Sequence, residues 1–265
     1  MTLSISIRRI DGEIVASETG DDMVSLVYPY EYQEGDVIVL ETSKANTHLI
    51  CQIDDTLGQN QIYIADKYLT YHIPFGEKRR SYSPRAFYGP VHYLYLRTAT
   101  NDEILSYRNL ARNTMDQHEN NTSYPHVSAN VETRGESVFA ARNAIDGIIE
   151  NRSHGDWPYS SWGINCDPNA CLHLDFGRLA EIDTILLYTR SDFPHDNWWK
   201  QVTFNFSDGS IYTVNLQKSD KAHVINFPKK KVQWLTMDKL IKSDDPSPFP
   251  ALSQIEVYGT VLNLN

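Results

Sequence analysis

Apolar residues recur at every second position in short runs broken by Gly, Asp, Asn and Pro, and this pattern restricts the chain to extended structure. Successive side chains of a strand point to opposite faces, so a period of two gives one buried face. It leaves no apolar stripe on a helix. In the first hundred residues "LSISIRRI", "MVSLVYPYEY", "DVIVLETS", "THLICQID", "QIYIAD", "YLTYHIPF" and "HYLYLRTA" all read as strands, enough for a two-sheet sandwich whose strand order the pattern does not assign. One segment departs from the pattern. In "TNDEILSYRNLARN", Thr100 and Glu103 have capping-box spacing and Ile104 and Tyr107 share a face, which predicts a short helix. It marks a domain boundary, giving residues 1–106 and 107–265.

The second half repeats the strand grammar. In "QVTFNFSDGSIYTVNL", Val202, Phe204 and Phe206 alternate, Ser-Asp-Gly turns the chain, and Tyr212, Val214 and Leu216 alternate on the return, which predicts a hairpin. "CLHLDFG" and "EIDTILLYTR" read as two strands, the second apolar on both parities and so expected to be buried on both faces. "KKVQWLTMDKLI" and "ALSQIEVYGTVL" supply two more, joined by the Pro-rich "KSDDPSPFP". The fold class is therefore all-β, with two β-sandwich domains.

Composition narrows the function. The formal net charge is −10 and both halves are acidic, which argues against nucleic acid or an anionic membrane as a partner. No run is long enough for a membrane helix, and the start is strand-like rather than a signal peptide. As it stands the sequence predicts a cytoplasmic protein, or an extracellular one if a leader has been removed. Three cysteines exclude a disulfide scaffold. Cys166, Cys171 and His173 lack a marked fourth ligand for zinc.

From "NLARN" onward the landmarks "YPHVSANVE", "ARNAIDG", a downstream Trp, "CLHLDFG", "ILLYTRSD" and "LSQIEVYG" occur in order. Over about Asn109 to Thr260 the chain resembles the discoidin, or coagulation factor V/VIII type C, family of galactose-binding-like domains, which includes family 32 carbohydrate-binding modules and fucose-binding lectins. The resemblance implies a jelly-roll sandwich whose loops at one end hold a sugar. It also implies a structural calcium ion between the Asp of the Asp-Gly turn, here Asp146, and an acid in the last strand. Gln254 occupies that second position, so one anionic ligand is replaced by an amide. The alternative is an Asp that caps its own turn without metal. The first hundred residues lie outside the resemblance.

Sugars are bound by stacking on Trp or Tyr and by planar hydrogen-bonding groups. "SHGDWPYSSW" supplies His154, Asp156, Trp157 and Tyr159, while Trp162 aligns with the family's core Trp. "YTRSDFPHDNWWKQ" adds Arg190, where the fucose-binding relatives place a sugar-binding Arg, with Asp192, His195 and Trp198. Trp198 and Trp199 are adjacent and cannot both enter one core. Arg190 has a second reading as an ion-pair partner of Asp192. Lys78, Arg79, Arg80 and Arg85 in "GEKRRSYSPRAFYG" read first as a solvated loop, and otherwise as a dock for an acidic saccharide or for the second domain.

No nucleophile elbow, zinc-protease motif, phosphate loop or dinucleotide fingerprint occurs. The expected function is carbohydrate binding without catalysis, with the first domain positioning the second or joining it into a homo-oligomer. The alternatives are a saccharide-processing enzyme with an interdomain cleft, which requires paired carboxylates or a Tyr-His cluster there, and a protein-binding adaptor.

Overall fold

The computed structural model describes residues 1–191, 196–219 and 221–262. All seven strands expected in the first half form: β1 (Thr2–Arg8), β3 (Met23–Tyr28), β4 (Val37–Thr42), β5 (Thr47–Gln52), β6 (Asn60–Ile64), β7 (Tyr68–His72) and β8 (His92–Thr98). An eighth, β2 (Ile14–Asp21), gives no apolar alternation because it is an edge strand paired only with β1, with most of its side chains exposed or half-exposed. One sheet runs β2-β1-β4-β7, and the other places β6, β5, β8 and β3 side by side. Leu3, Ile5 and Ile7 of β1 and Val24, Leu26 and Tyr28 of β3 point into the core between them.

The helix α1 (Asn101–Leu105) starts at the expected capping box: Glu103 N–H donates to Thr100 Oγ1 (3.3 Å) and Thr100 N–H to Glu103 Oε2 (2.8 Å). After it come β9 (Arg108–Asn109), β10 (Ser123–Tyr124), β11 (His126–Ala129), β12 (Trp162–Gly163), β13 (Leu172–Thr189), β14 (Trp199–Phe206), β15 (Ile211–Asn215), β16 (His223–Lys242) and β17 (Ala251–Val261). No helix among the described residues is long and apolar enough to cross a membrane.

The two strands expected over 171–190 are one, β13, with an irregularity between Asp175 and Ala180. Gly177 sits in that irregularity at φ +67°, where a Cβ would collide with the Tyr124 ring. Beyond it, β13 lies between β16 and β17, burying Ile182, Ile185 and Leu187. The opposite parity is half-buried rather than buried, as Leu186 and Tyr188 show. The hairpin β14–β15 forms as its Ser-Asp-Gly turn requires.

Core membership crosses the expected boundary at 106/107. Ile104 belongs to the second core, whereas Met115 belongs to the first, where it touches Cys51. Likewise β10 pairs with β6, extending the first half's sheet. Residues 113–124 are thus built into the first half, and the chain re-enters the second at β11. Between β11 and β12 the chain forms only 3-10 turns, at Thr133–Gly135, Ser137–Phe139 and Ala141–Ile145, and loops. Ser137 at the start of the second turn meets the first half, while Ala141, Ala144 and Ile145 of the third pack into the second core.

Candidate functional site

The basic segment of the first half keeps Lys78, Arg80 and Arg85 exposed to solvent, as its first reading expects, and also touches the second half. Its 3-10 turn, Gly76–Ser81, docks on the second half: Ser137 N–H and Oγ donate to Glu77 Oε1 and O (2.7 and 2.8 Å), and Trp157 N–H donates to Arg80 O (2.9 Å). Arg80 also reaches Asp156 Oδ1 at 2.7 Å. Beside this contact lies a cavity of about 620 Å³.

Arg190 lies at its base, wholly buried. Burying a guanidinium costs several kcal/mol unless its N–H groups are engaged. Nε donates to Asp196 Oδ2 (2.7 Å) and Nη1 to the Tyr159 carbonyl (2.6 Å), which fix the plane of the fork. Nη2 is buried and has no hydrogen-bond partner among the described residues. Asp196 is shared with His154, whose Nδ1 lies 3.8 Å from Oδ1. Arg190 therefore pairs with an acid that sequence reasoning passes over, since Asp192 stands closer in the chain.

Trp157 and Phe249 line the cavity with side chains 36% and 46% exposed, large apolar faces at an aqueous surface. Glu136 is held below its ordinary range by its hydrogen bond to Arg134, which also lies over Phe139. The charges fall into three pairs, Arg80 with Asp156, Arg134 with Glu136 and Arg190 with Asp196. A lining balanced in this way offers many fixed donors and acceptors and no net charge, which suits a neutral polyhydroxyl molecule better than an ion.

Of the expected ligand residues, His154, Asp156, Trp157, Tyr159 and Arg190 come together around this cavity. Asp192 and His195 lie outside the described residues. Trp198 is not brought to it: the indole packs on the second core and points Nε1 at Asp245 (3.3 Å), while Trp199 takes the inward position beside Trp162. Trp162 is buried as expected, its Nε1 donating to Val131 O. Arg134 and Phe249 reach the cavity from segments that carry no ligand signal, and Arg80 from the basic segment whose second reading is a dock for an acidic saccharide or for the second domain.

At the expected calcium position an ion that takes six to eight oxygens from carboxylates, carbonyls and water would meet two side-chain oxygens that are already hydrogen-bonded. Asp146 Oδ1 already accepts from Ile148 N–H (2.9 Å), and Gln254 Oε1 accepts from Gly147 N–H (3.1 Å). The charges nearest Asp146 are the guanidinia of Arg142 and Arg112. Burial pushes its carboxyl up to about 7 despite them. No group of three or more His, Cys, Asp or Glu that could hold a metal occurs among the described residues.

The chain is similar to several solved structures. They include chitosan-binding module 1 from a chitosanase/glucanase of Paenibacillus sp. IK-5 (17% identity, 57% of this chain and 98% of that one, TM-score 0.40). Others are the family 32 CBM of C. perfringens NanJ in complex with galactose (16%, 50% and 91%, TM-score 0.38) and a Streptococcus pneumoniae fucose binding module, SpX-3 (16%, 57% and 96%, TM-score 0.38). No curated protein matches the sequence. The family model for a domain of unknown function, DUF7402, matches residues 122–258, more than half of the chain, and the protein belongs to that family.

Proposed function

We propose that the cavity between the two halves binds a neutral saccharide without transforming it. The observation that carries this reading is Arg190: a wholly buried guanidinium, oriented by Asp196 and the Tyr159 carbonyl, with Nη2 unpartnered among the described residues in a cavity that the exposed Trp157 also lines. Sugar hydroxyls complete such a donor, and the C–H face of a pyranose covers an indole or phenyl ring. The expected grip by loops of the second half is widened to include Arg80 of the first.

Binding without chemistry is supported by the three carboxylates of the cavity. Glycoside hydrolysis needs a carboxylic acid of raised pKa opposite a second carboxylate. Glu136 is instead held below its ordinary range by its hydrogen bond to Arg134, and Asp156 and Asp196 are each ion-paired to an arginine, Arg80 and Arg190.

A glycan array followed by calorimetric titration tests the reading. A neutral saccharide is expected to bind the intact protein. Trp157→Ala, at a half-exposed side chain that leaves the core untouched, is expected to weaken it at least about tenfold, the scale of an aromatic hot spot. No binding up to millimolar sugar, or equal binding by Trp157→Ala and the parent, would remove the proposal.

A further inference from the structure

A second cavity, of about 310 Å³, lies between the halves away from the first and has the opposite electrical character. Four arginines line it, Arg97, Arg108, Arg112 and Arg178, against one carboxylate, Glu103. Glu103 is already engaged by both terminal nitrogens of Arg97 (2.5 and 2.7 Å). The other three guanidinia form no ion pair among the described residues, in a chain whose net charge is −10.

Arg178 and Arg108 are held in place by contacts that carry no opposite charge, while Arg112 stands beside Gly147 and interacts with the carboxyl of Asp146. Arg178 Nη1 donates to the Phe176 carbonyl, its guanidinium stands 5.3 Å from the Tyr63 ring centre, and its Nε is buried with no hydrogen-bond partner among the described residues. The nearby Asp175 has Oδ1 taken by Gly177 N–H. Arg108 Nη1 donates to the Ile104 carbonyl (3.0 Å), a contact that orients the fork without supplying charge. Arg112 is exposed at the mouth. Burial pulls Arg108 down to about 10; burial and then the charge of Arg108 pull Arg178 down to about 9. Like charges gathered in a partly dry cavity repel one another, and an anion relieves that repulsion.

We infer that this cavity is a binding site for a tetrahedral oxyanion, phosphate or sulfate, either free or carried as an ester on a small molecule. Planar guanidinia match the oxygen spacing of such groups in paired hydrogen bonds. The volume leaves room for little more than a monosaccharide beside the anion. This assignment is independent of the saccharide reading, because the two cavities share no lining residue.

The test is thermal unfolding and calorimetry at ionic strength fixed with sodium chloride, using inorganic phosphate, inorganic sulfate, glucose 6-phosphate and glucose. Phosphate and sulfate are expected to raise Tm where chloride does not, because a ligand that binds only the folded state stabilises it. Tighter binding of glucose 6-phosphate than of phosphate identifies an ester; equal binding identifies the free anion. Arg178→Gln and Arg112→Gln are each expected to weaken phosphate about tenfold, the loss of one charge-assisted hydrogen bond. Arg112 is exposed, so its variant keeps the test valid if Arg178→Gln fails to fold. Trp157→Ala is expected to bind phosphate as the parent does. A Tm response no larger than that to chloride, or one unchanged in Arg112→Gln, overturns the inference. So does phosphate binding that is lost in Trp157→Ala, which would put the anion in the first cavity.

Discussion

Arg142→Ala is expected to lower the unfolding free energy by about 3–5 kcal/mol, the scale of removing one partner from a buried charged network. Arg142 is 7% exposed, and its guanidinium spends its donors on both halves of the molecule. Nε donates to Asp116 O and Nη2 to Thr114 O (both 3.0 Å), and Nη1 to Asn143 Oδ1 (3.1 Å). The guanidinium carbon also lies 4.3 Å from the Tyr82 ring centre, in the first core. Alanine strands two buried carbonyls, removes the cation from the ring and leaves Asp146 without its nearest positive charge. Lysine is a poor substitute, since a single ammonium cannot span acceptors set in a fork. Urea unfolding measures the change through the midpoint; a loss under about 1 kcal/mol, the level of a surface substitution, would contradict this account of the residue.

Asp146→Asn is expected to gain stability relative to the parent as pH rises. Burial holds the Asp146 carboxyl at about 7 against an ordinary value of 3.8. A carboxyl raised on folding binds more protons in the folded state, so its contribution is complete below the unfolded value and is lost as pH climbs from about 4 through 7. Asparagine keeps the acceptor for Ile148 N–H and has no charge to bury. With one unit equal to 1.36 kcal/mol, the gap between the two proteins should widen by up to about 4 kcal/mol between about pH 4 and pH 8. His126 changes in the same direction. Burial lowers it, but the hydrogen bond and charge of Asp116 outweigh burial and leave it raised, so its share is lost as pH rises through the folded value. Both proteins keep that histidine, and the difference isolates Asp146. Denaturation midpoints at the two pH values decide the matter: parallel profiles would show that the carboxyl titrates normally. A chelator is expected to change neither profile, whereas a bound cation would hold the carboxylate ionised and make stability depend on the metal.

The strands are legible because a half-buried strand writes its inward face into the chain at every second position, as Leu3, Ile5 and Ile7 do. Strand β2 is not, since an exposed edge strand can carry Ser, Glu, Thr and Asp in any order. Within the first cavity, His154, Asp156, Trp157, Tyr159 and Arg190 are visible as polar and aromatic residues crowded into two loops. Phe249 enters through tertiary contact from a distant segment, which leaves no local pattern, whereas Arg80 belongs to a basic segment that is legible as a charge run open to docking. Proximity in sequence groups Trp198 with its neighbours, but strand alternation gives the inward position to Trp199 and turns Trp198 toward Asp245. The burial of Arg142 has no signature of its own, since a guanidinium reads alike in solvent and in a dry interface.

The stretch 113–124, stitched into the first half before the chain returns to the second, bears on how this architecture can be inherited. A self-sufficient cassette can be cut out and grafted beside another catalytic or structural unit with its grip intact. Here excision at the helix would strip Met115 of its pocket, leave β10 without β6, part Arg142 from Tyr82 and take Arg80 from the cavity rim. The two halves therefore share the cavity rim and the Arg142 contact, so a mutation in either one can alter both.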